Sequence, residues 1–366
     1  MPYVLLNSQP GILETFFSKI LNVIFDFIYS ISPVYSLGIA IILFTILIKV
    51  LLLPIALKQY TSTKKMKIIQ PEMKIIQDKY KDKKDQESQQ KMVAEMNALY
   101  GKHGTTPLSG CLPALIQIPI IFALFNVLRD AYIYISELSN KYDLIVAKVM
   151  TLPNYKELFE PLLKTKQLLI KDINSVDNLK TLASNINNTE WTALINKMPD
   201  SVASALPSLI TAKNNIEGFF TINLTNVPSY TDISILIPII TALTTYLSIK
   251  VTSASTKSAK DPKAPVGDDT ASQIERSMAT MIYFIPGLIF ITAFSFPSGL
   301  GIYWLLGNIF SIFQQLFFDK YIKVSTKDSV KNAADTSFVA SDISIPITTK
   351  GGVVNEVRNK RSKKRK

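Results

Sequence analysis

Five stretches of this chain are apolar enough, for long enough, to read as membrane-crossing helices. The first, about residues 34–57, carries a single charge, Lys49. The second, 108–128, is uncharged throughout, and the third runs from 233 to 249. The fourth and fifth come from one run: 42 residues between Arg276 and Asp319 hold no charge at all. A single helix of that length would extend about 63 Å, roughly twice a bilayer core of about 30 Å. The run therefore divides at Pro297-Ser298-Gly299, a sequence suited to a tight turn, giving two spans within 278–319. The expected fold class is all-α, a polytopic membrane protein with five transmembrane helices.

Outside these stretches the periodicity changes. In 12–31, Glu14, Ser18, Asn22 and Asp26 recur every four residues, while Leu13, Phe16, Ile20, Val23, Phe27 and Ile31 line another side. This is an amphipathic stripe. With Lys19 it holds three charges, so residues 1–33 are expected to lay an interfacial helix on the outer surface, not a sixth span. Residues 58–107 read as a helical hairpin. Met66, Ile69, Met73, Ile76 and Tyr80 follow alternating three- and four-residue steps, and Met92, Met96 and Leu99 repeat the pattern beyond the polar tip KDKKDQES. Gly104 is placed to stop the second helix with His103 in its last turn. Pro71 is expected to kink or restart the first. Residues 108–135 form the second span and an extension. Residues 136–232 are an Asn- and Lys-rich insertion of short helices whose role cannot be read, and 250–277 are a small, polar loop.

Composition agrees with membrane residence. Of 366 residues 48% are hydrophobic and 19% charged, and mean hydropathy is +0.22, against an ordinary soluble domain. Basic residues set the orientation. Residues 58–107 hold 11 Lys or Arg against 6 acids, 250–277 hold 5 against 4, and 320–366 hold 12 against 4; by contrast 136–232 hold 9 against 10. The consistent topology is N-terminus outside, hairpin inside, insertion outside, C-terminus inside. The start MPYVLLNSQPG lacks the features of a signal peptide. One cysteine, Cys111, excludes an intrachain disulfide, and one histidine, His103, excludes a histidine pair or a multi-histidine metal site. No GxxxxGK[ST] run signals a nucleotide site, and no cofactor or metal is expected. The basic end RNKRSKKRK at 358–366 allows three readings: it enforces orientation, holds anionic lipid headgroups, or meets an RNA-rich partner such as the ribosome.

Lys49 carries the most information. It lies nine positions before Lys58, so about 13 Å inside the inner boundary. An ammonium near the middle of a span costs about 2.5–3.5 kcal/mol on insertion scales, and no charge stands at matching depth in the other spans. It is expected to face a water-filled cavity. Thr45, one turn away, could share that cavity, as could Gln117, Thr241, Thr244, Thr245, Trp304, Asn308, Ser311, Gln314 and Gln315. Each alone is more often a helix–helix hydrogen bond.

Four stretches carry a family resemblance: KVLLLPIALKQYTSTKKMKIIQPEM at 49–73, ALYGKHGTTPLSGCLPALIQIPIIFALF at 98–125, LIPIITALTTYL at 236–247 and FPSGLGIYWLLGNIFSIFQQ at 296–315. In order and placement they resemble the YidC family of membrane protein insertases. The resemblance implies five helices around a polar groove open to cytoplasm and lipid but closed toward the outside. It implies a central positive residue, usually arginine, five positions before a proline; Lys49 and Pro54 keep that spacing. Thr45 matches a polar groove position and Trp304 an aromatic that meets substrate; Gln117 and Asn308 complete the expected groove. Met66, Met73, Met92 and Met96 would belong to the substrate-receiving hairpin. Implied partners are nascent membrane proteins and the lipid bilayer, with the ribosome and the general translocation channel as further candidates. The implied location is a bacterial inner membrane. Lysine for arginine is a departure: the charge survives, the planar five-donor fork does not. The function so implied is insertion of nascent helices without ATP. A transporter or channel using Lys49 as its binding site is the alternative. An intramembrane protease built on Ser298 is disfavoured, because His103 falls on the other side of the membrane.

Overall fold

The computed structural model describes residues 12–83, 85–106, 112–166, 168, 170, 172–256, 270–322 and 324. The basic end 358–366, Cys111, the start of the second apolar stretch and the middle of the 250–277 loop lie outside them. The described chain is helical apart from one two-stranded ribbon.

Helix α1 (Ile12–Ile31) precedes α2 (Ser36–Leu51) and α3 (Leu53–Tyr80), and α4 (Gln86–His103) folds back on α3. Helix α5 (Leu112–Arg129) leads into the short α6 (Ala131–Tyr134). Then come α7 (Ser136–Met150), α8 (Tyr155–Lys166), α9 (Val176–Ser184), α10 (Asn188–Ile195), α11 (Asp200–Ala203) and α12 (Leu206–Glu217). Strands β1 (Gly218–Phe219) and β2 (Ile222–Asn223) pair antiparallel, and α13 (Leu236–Thr256), α14 (Thr270–Ala293) and α15 (Ser298–Tyr321) complete the chain.

Among the described residues two helices are long and apolar enough to cross a membrane, Ile233–Thr252 and Ser298–Tyr321, or three if α2 and α3 count as one bent element. Leu115–Arg129 and Ile282–Ala293 are shorter apolar helices. These segments coincide in position with the five apolar stretches of the sequence. Helix α15 packs on α13, α2 and α5, and α14 packs on α13. Between helices in lipid the hydrophobic effect contributes little, so close approach and hydrogen bonds hold the contact. At Gly301 a Cβ would lie 2.2 Å from Ile237 Cγ2. Nearby Asn308 Nδ2 donates to Thr245 Oγ1 at 2.8 Å and Thr241 Oγ1 to the Gly301 carbonyl at 3.3 Å.

Helix α1 divides its apolar side in two. Leu21 and Phe25 are buried against α2 and α5, with Phe17 edge-on to Phe44. Of the stripe read from the sequence, Leu13, Phe16, Val23, Phe27 and Ile31 stay exposed, while Ile20 is half-buried against the core. Its polar stripe is not wholly solvated: Ser18 is buried, and the Asn22 amide donates to the Tyr134 carbonyl, tying α1 to α6.

Pro71 neither breaks nor restarts α3, which runs unbroken from Leu53 to Tyr80. The break falls instead at Leu52, where α2 and α3 meet at 54°. Pro54 in the first turn of α3 supplies the cause, since it has no N–H to return to the Val50 carbonyl. The hairpin seam forms as its spacing predicts. Ile69, Tyr80 and Leu99 are buried in it, and Met66, Met73, Met92 and Met96 are half-buried. Gly104 closes α4 at φ 55, the left-handed conformation in which glycine carries no Cβ penalty.

Helices α6–α12 form a small domain whose core is continuous with the bundle. Helix α7 turns Leu138, Tyr142, Ile145, Val146 and Val149 inward, and Trp191 meets Phe159 edge-on at 5.9 Å. Within this core lies an ion pair: Lys213 Nζ sits 2.9 Å from Glu217 Oε2, their side chains 3% and 1% exposed. Tyr142 and Asn223 donate to the same carboxylate. Burial, and then the Glu217 charge, push the Tyr142 phenol well above its ordinary range.

Candidate functional site: a polar cavity at the α2–α3 bend

Because α3 turns away from the axis of α2 at Leu52, three residues after Lys49, a wedge opens between α3 and the helices α13 and α15. It is a cavity of about 300 Å³. Lys49 stands on its wall, half-buried, and its Nζ donates to Ser311 Oγ at 3.3 Å. Ser311 Oγ in turn donates to the Gly307 carbonyl at 2.7 Å. Gly307 lies beside the lysine: a Cβ there would be in ordinary contact, 3.4 Å from Lys49 Cε. Among the described residues no carboxylate pairs with Lys49. A fixed positive charge beside an open polar volume attracts carboxylates, and it does so more strongly than in bulk water because the apolar wall screens it less.

The rest of the lining follows helical spacing. Gln59 and Thr63 lie one turn apart on α3, Ser248 and Thr252 one turn apart on α13, and Ser311 and Gln315 one turn apart on α15. At the end away from Lys49, Asp319 accepts from the Tyr60 phenol at 2.9 Å and pairs with Lys64 at 2.7 Å. Burial, then the hydrogen bond and charge of Asp319, raise the Tyr60 pKa, so the phenol stays a donor. Tyr60 also packs on Phe318, ring centroids 5.1 Å apart. This cluster fixes the base of the hairpin to the end of α15.

Of the five groove residues expected from the sequence, the cavity brings together Lys49 and Gln117. Gln117 Nε2 donates to the buried Tyr303 hydroxyl at 2.6 Å, which anchors α5 to α15. The other three stand elsewhere. Thr45 is 1% exposed, its hydroxyl spent on the Ile41 carbonyl of its own helix at 2.6 Å. Asn308 binds the threonines of α13. Trp304 borders a separate crevice of about 10 Å³ beside Thr241 and Pro297, at the limit of what one water needs. The hairpin methionines face the seam, and the exposed apolar side chains of the hairpin are Ile68, Ile75 and Val93. Gln59, Thr63, Lys64, Ser248 and Thr252 were missed. Their signal was polar residues four apart at the ends of apolar stretches, with Pro54 marking where the wall would bend.

A family model described as 60Kd inner membrane protein matches residues 27–327. The membrane protein insertase YidC 2 of Bacillus anthracis is 29% identical over 277 residues, covering 76% of this chain and 69% of that protein. The membrane protein insertase YidC 1 of Listeria monocytogenes is 27% identical over 303 residues, 82% of this chain and 70% of its own length. The membrane protein insertase YidC of Helicobacter pylori is 44% identical over 119 residues, 32% of this chain but only 20% of that protein.

Proposed function

The chain belongs to the 60Kd inner membrane protein family and is a bacterial inner membrane protein, and from that premise we propose that it is a membrane protein insertase working without nucleotide. The proposed topology has five spans: α2 with the start of α3, α5, α13, α14 and α15. The N-terminus is outside and the C-terminus inside, the α3–α4 hairpin lies on the cytoplasmic side and α6–α12 on the outer side. The names of the relatives support the insertase reading. The ammonium of Lys49, which pairs with no carboxylate among the described residues, carries the mechanism from the polar cavity at the α2–α3 bend.

A nascent hydrophobic segment meets the hairpin, where Ile68, Ile75 and Val93 offer apolar contact. Its short outward-bound tail enters the cavity, and a tail carboxylate is drawn to Lys49. Ser311, Gln117, Gln59 and the other lining groups replace part of the tail's hydration, so the apolar distance left to cross is shortened. The hydrophobic segment passes into lipid, gaining roughly 25 cal/mol for each Å² of apolar surface removed from water. A membrane potential positive outside adds about 2.3 kcal/mol per negative charge moved outward per 100 mV. Together these terms make the transfer downhill with no nucleotide step.

The test is insertion of a small single-span protein with an acidic tail into vesicles holding the parent, Lys49→Arg or Lys49→Ala. Parent and Arg insert it, while Ala slows insertion about 5- to 30-fold, the loss of about 1–2 kcal/mol of partly screened attraction. Equal rates for all three would remove Lys49 from the mechanism. No insertion above that in empty vesicles would defeat the insertase reading.

A further inference from the structure

The β1–β2 ribbon turns through Phe220 and Thr221, and Phe220 sits at φ 54. That left-handed conformation suits glycine, asparagine or aspartate at a two-residue hairpin turn and strains a bulky side chain. The strain is not offset by burial within the protein, because Phe220 is 73% exposed. The turn is nonetheless held firmly. Phe219 lies in a notch at Gly38 in the first turn of α2, where a Cβ would come within 2.2 Å of Phe219 Cδ2. Tyr35, the residue before α2, is itself left-handed at φ 62, and its N–H donates to the Asn215 carbonyl at 2.8 Å. Its ring meets Phe219 at 5.9 Å and Phe220 at 5.6 Å. A rigid support thus presents an aromatic ring with nothing among the described residues over most of it.

The position identifies what covers it. Phe220 stands at the end of α2, where the exposed Ile31 and Val34 continue the apolar outer surface of α1 and α2. At the ends of α13 and α14 a second exposed aromatic, Tyr230 (72%), stacks on Phe294 at 4.3 Å, just before the exposed Ile233. Tyrosine and tryptophan at the ends of spans sit at the level of lipid headgroups, and phenylalanine of interfacial segments buries at the headgroup–acyl boundary. We propose that the β1–β2 turn is a membrane-surface anchor, with Phe220 entering the interfacial zone of the lipid leaflet at this end of the bundle and holding the α6–α12 domain against it. The occupant is lipid, because the turn continues the surface the spans already present to lipid. The inference rests on reading α2 and α13 as spans and not on insertase activity.

The test places an environment-sensitive nitrobenzoxadiazole label at Phe220→Cys in a Cys111→Ser background, in phospholipid nanodiscs holding one copy each. A label at Thr221→Cys, the other exposed residue of the turn, leaves Phe220 in place. A label at Lys197→Cys, exposed in the α6–α12 domain, is the aqueous control. Lipids brominated high on the acyl chain are expected to quench the 220 and 221 labels at least twofold and the 197 label not at all. Labels at 220 and 221 no more quenched than at 197 overturn the anchor. Shielding from an aqueous quencher that arises only in discs holding two copies, without quenching by bromine, assigns the turn to a second copy and also overturns it. Quenching as expected in a protein that fails the insertion assay leaves the anchor standing and defeats the proposed function instead.

Discussion

At the scale of single residues, the cavity is set by what stands next to Lys49 as much as by Lys49 itself. Ser311 orients the ammonium, and Gly307 lies beside the end of the lysine. Alanine at 307 would bring only ordinary contact with the flexible end of the lysine. A branched side chain extends beyond that Cβ and crowds the end of the lysine. Gly307→Val should therefore slow insertion of an acidic-tailed client about as much as Lys49→Ala does, while a neutral-tailed client is inserted at the parent rate. Thr45→Val is the contrast, because among the described residues the Thr45 hydroxyl bonds only to its own helix and it lines neither the cavity nor the Trp304 crevice. Less than a twofold change is expected, measured in the same vesicle assay. A large loss for Thr45→Val with none for Gly307→Val would reverse the roles assigned to the two residues.

At the scale of elements, the bend between α2 and α3 and the joint between α3 and α15 act together. Pro54 turns α3 out of the axis of α2, and Asp319 catches it again through Tyr60 and Lys64. Both partners of the Lys64–Asp319 pair keep about a quarter to a third of their surface exposed, so solvent screening leaves the pair about 0.5–1 kcal/mol. Asp319→Asn should accordingly loosen the hairpin without unfolding it. Amide exchange in α3 around Tyr60–Lys64 is expected to quicken about 2- to 5-fold, with exchange in α13 unchanged. Unchanged exchange around Tyr60 would show that the seam with α4 alone sets the hairpin's position. The periodicity of the seam was legible from the methionines, isoleucines and Leu99. The site of the break was not, because Pro71 and Pro54 look alike in sequence. Pro54 comes where α2 has already met its packing partners, whereas Pro71 lies within a helix supported by α4.

At the scale of the whole molecule, the α6–α12 domain is bound to the bundle through one continuous core, and its polar centre is the Lys213–Glu217 pair with Tyr142 and Asn223. Breaking such a pair strands a buried charge, which costs about 3–5 kcal/mol, whereas replacing both partners by apolar residues is often neutral. Glu217→Ala should lower the thermal midpoint of detergent-solubilised protein markedly, and Lys213→Met combined with Glu217→Leu should recover most of the loss. If the single and double variants melt alike, the pair is not what holds this core.

The sequence by itself determined the apolar stretches, the amphipathic α1, the hairpin seam and the place of Lys49 within an apolar stretch. Each of these is a periodicity or a charge count along one helix, and backbone hydrogen bonding in lipid leaves a long apolar run little choice but helix. Only the tertiary structure decided which polar residues meet. Thr45 and Lys49 share a helix face by spacing, yet one is spent on its own backbone and the other opens on the cavity. Asn308 and Ser311 are three residues apart on α15, but one binds α13 and the other Lys49. The difference arises from the neighbouring helices: a polar side chain in a span takes the nearest partner that packing provides, and that partner stands far away in the chain.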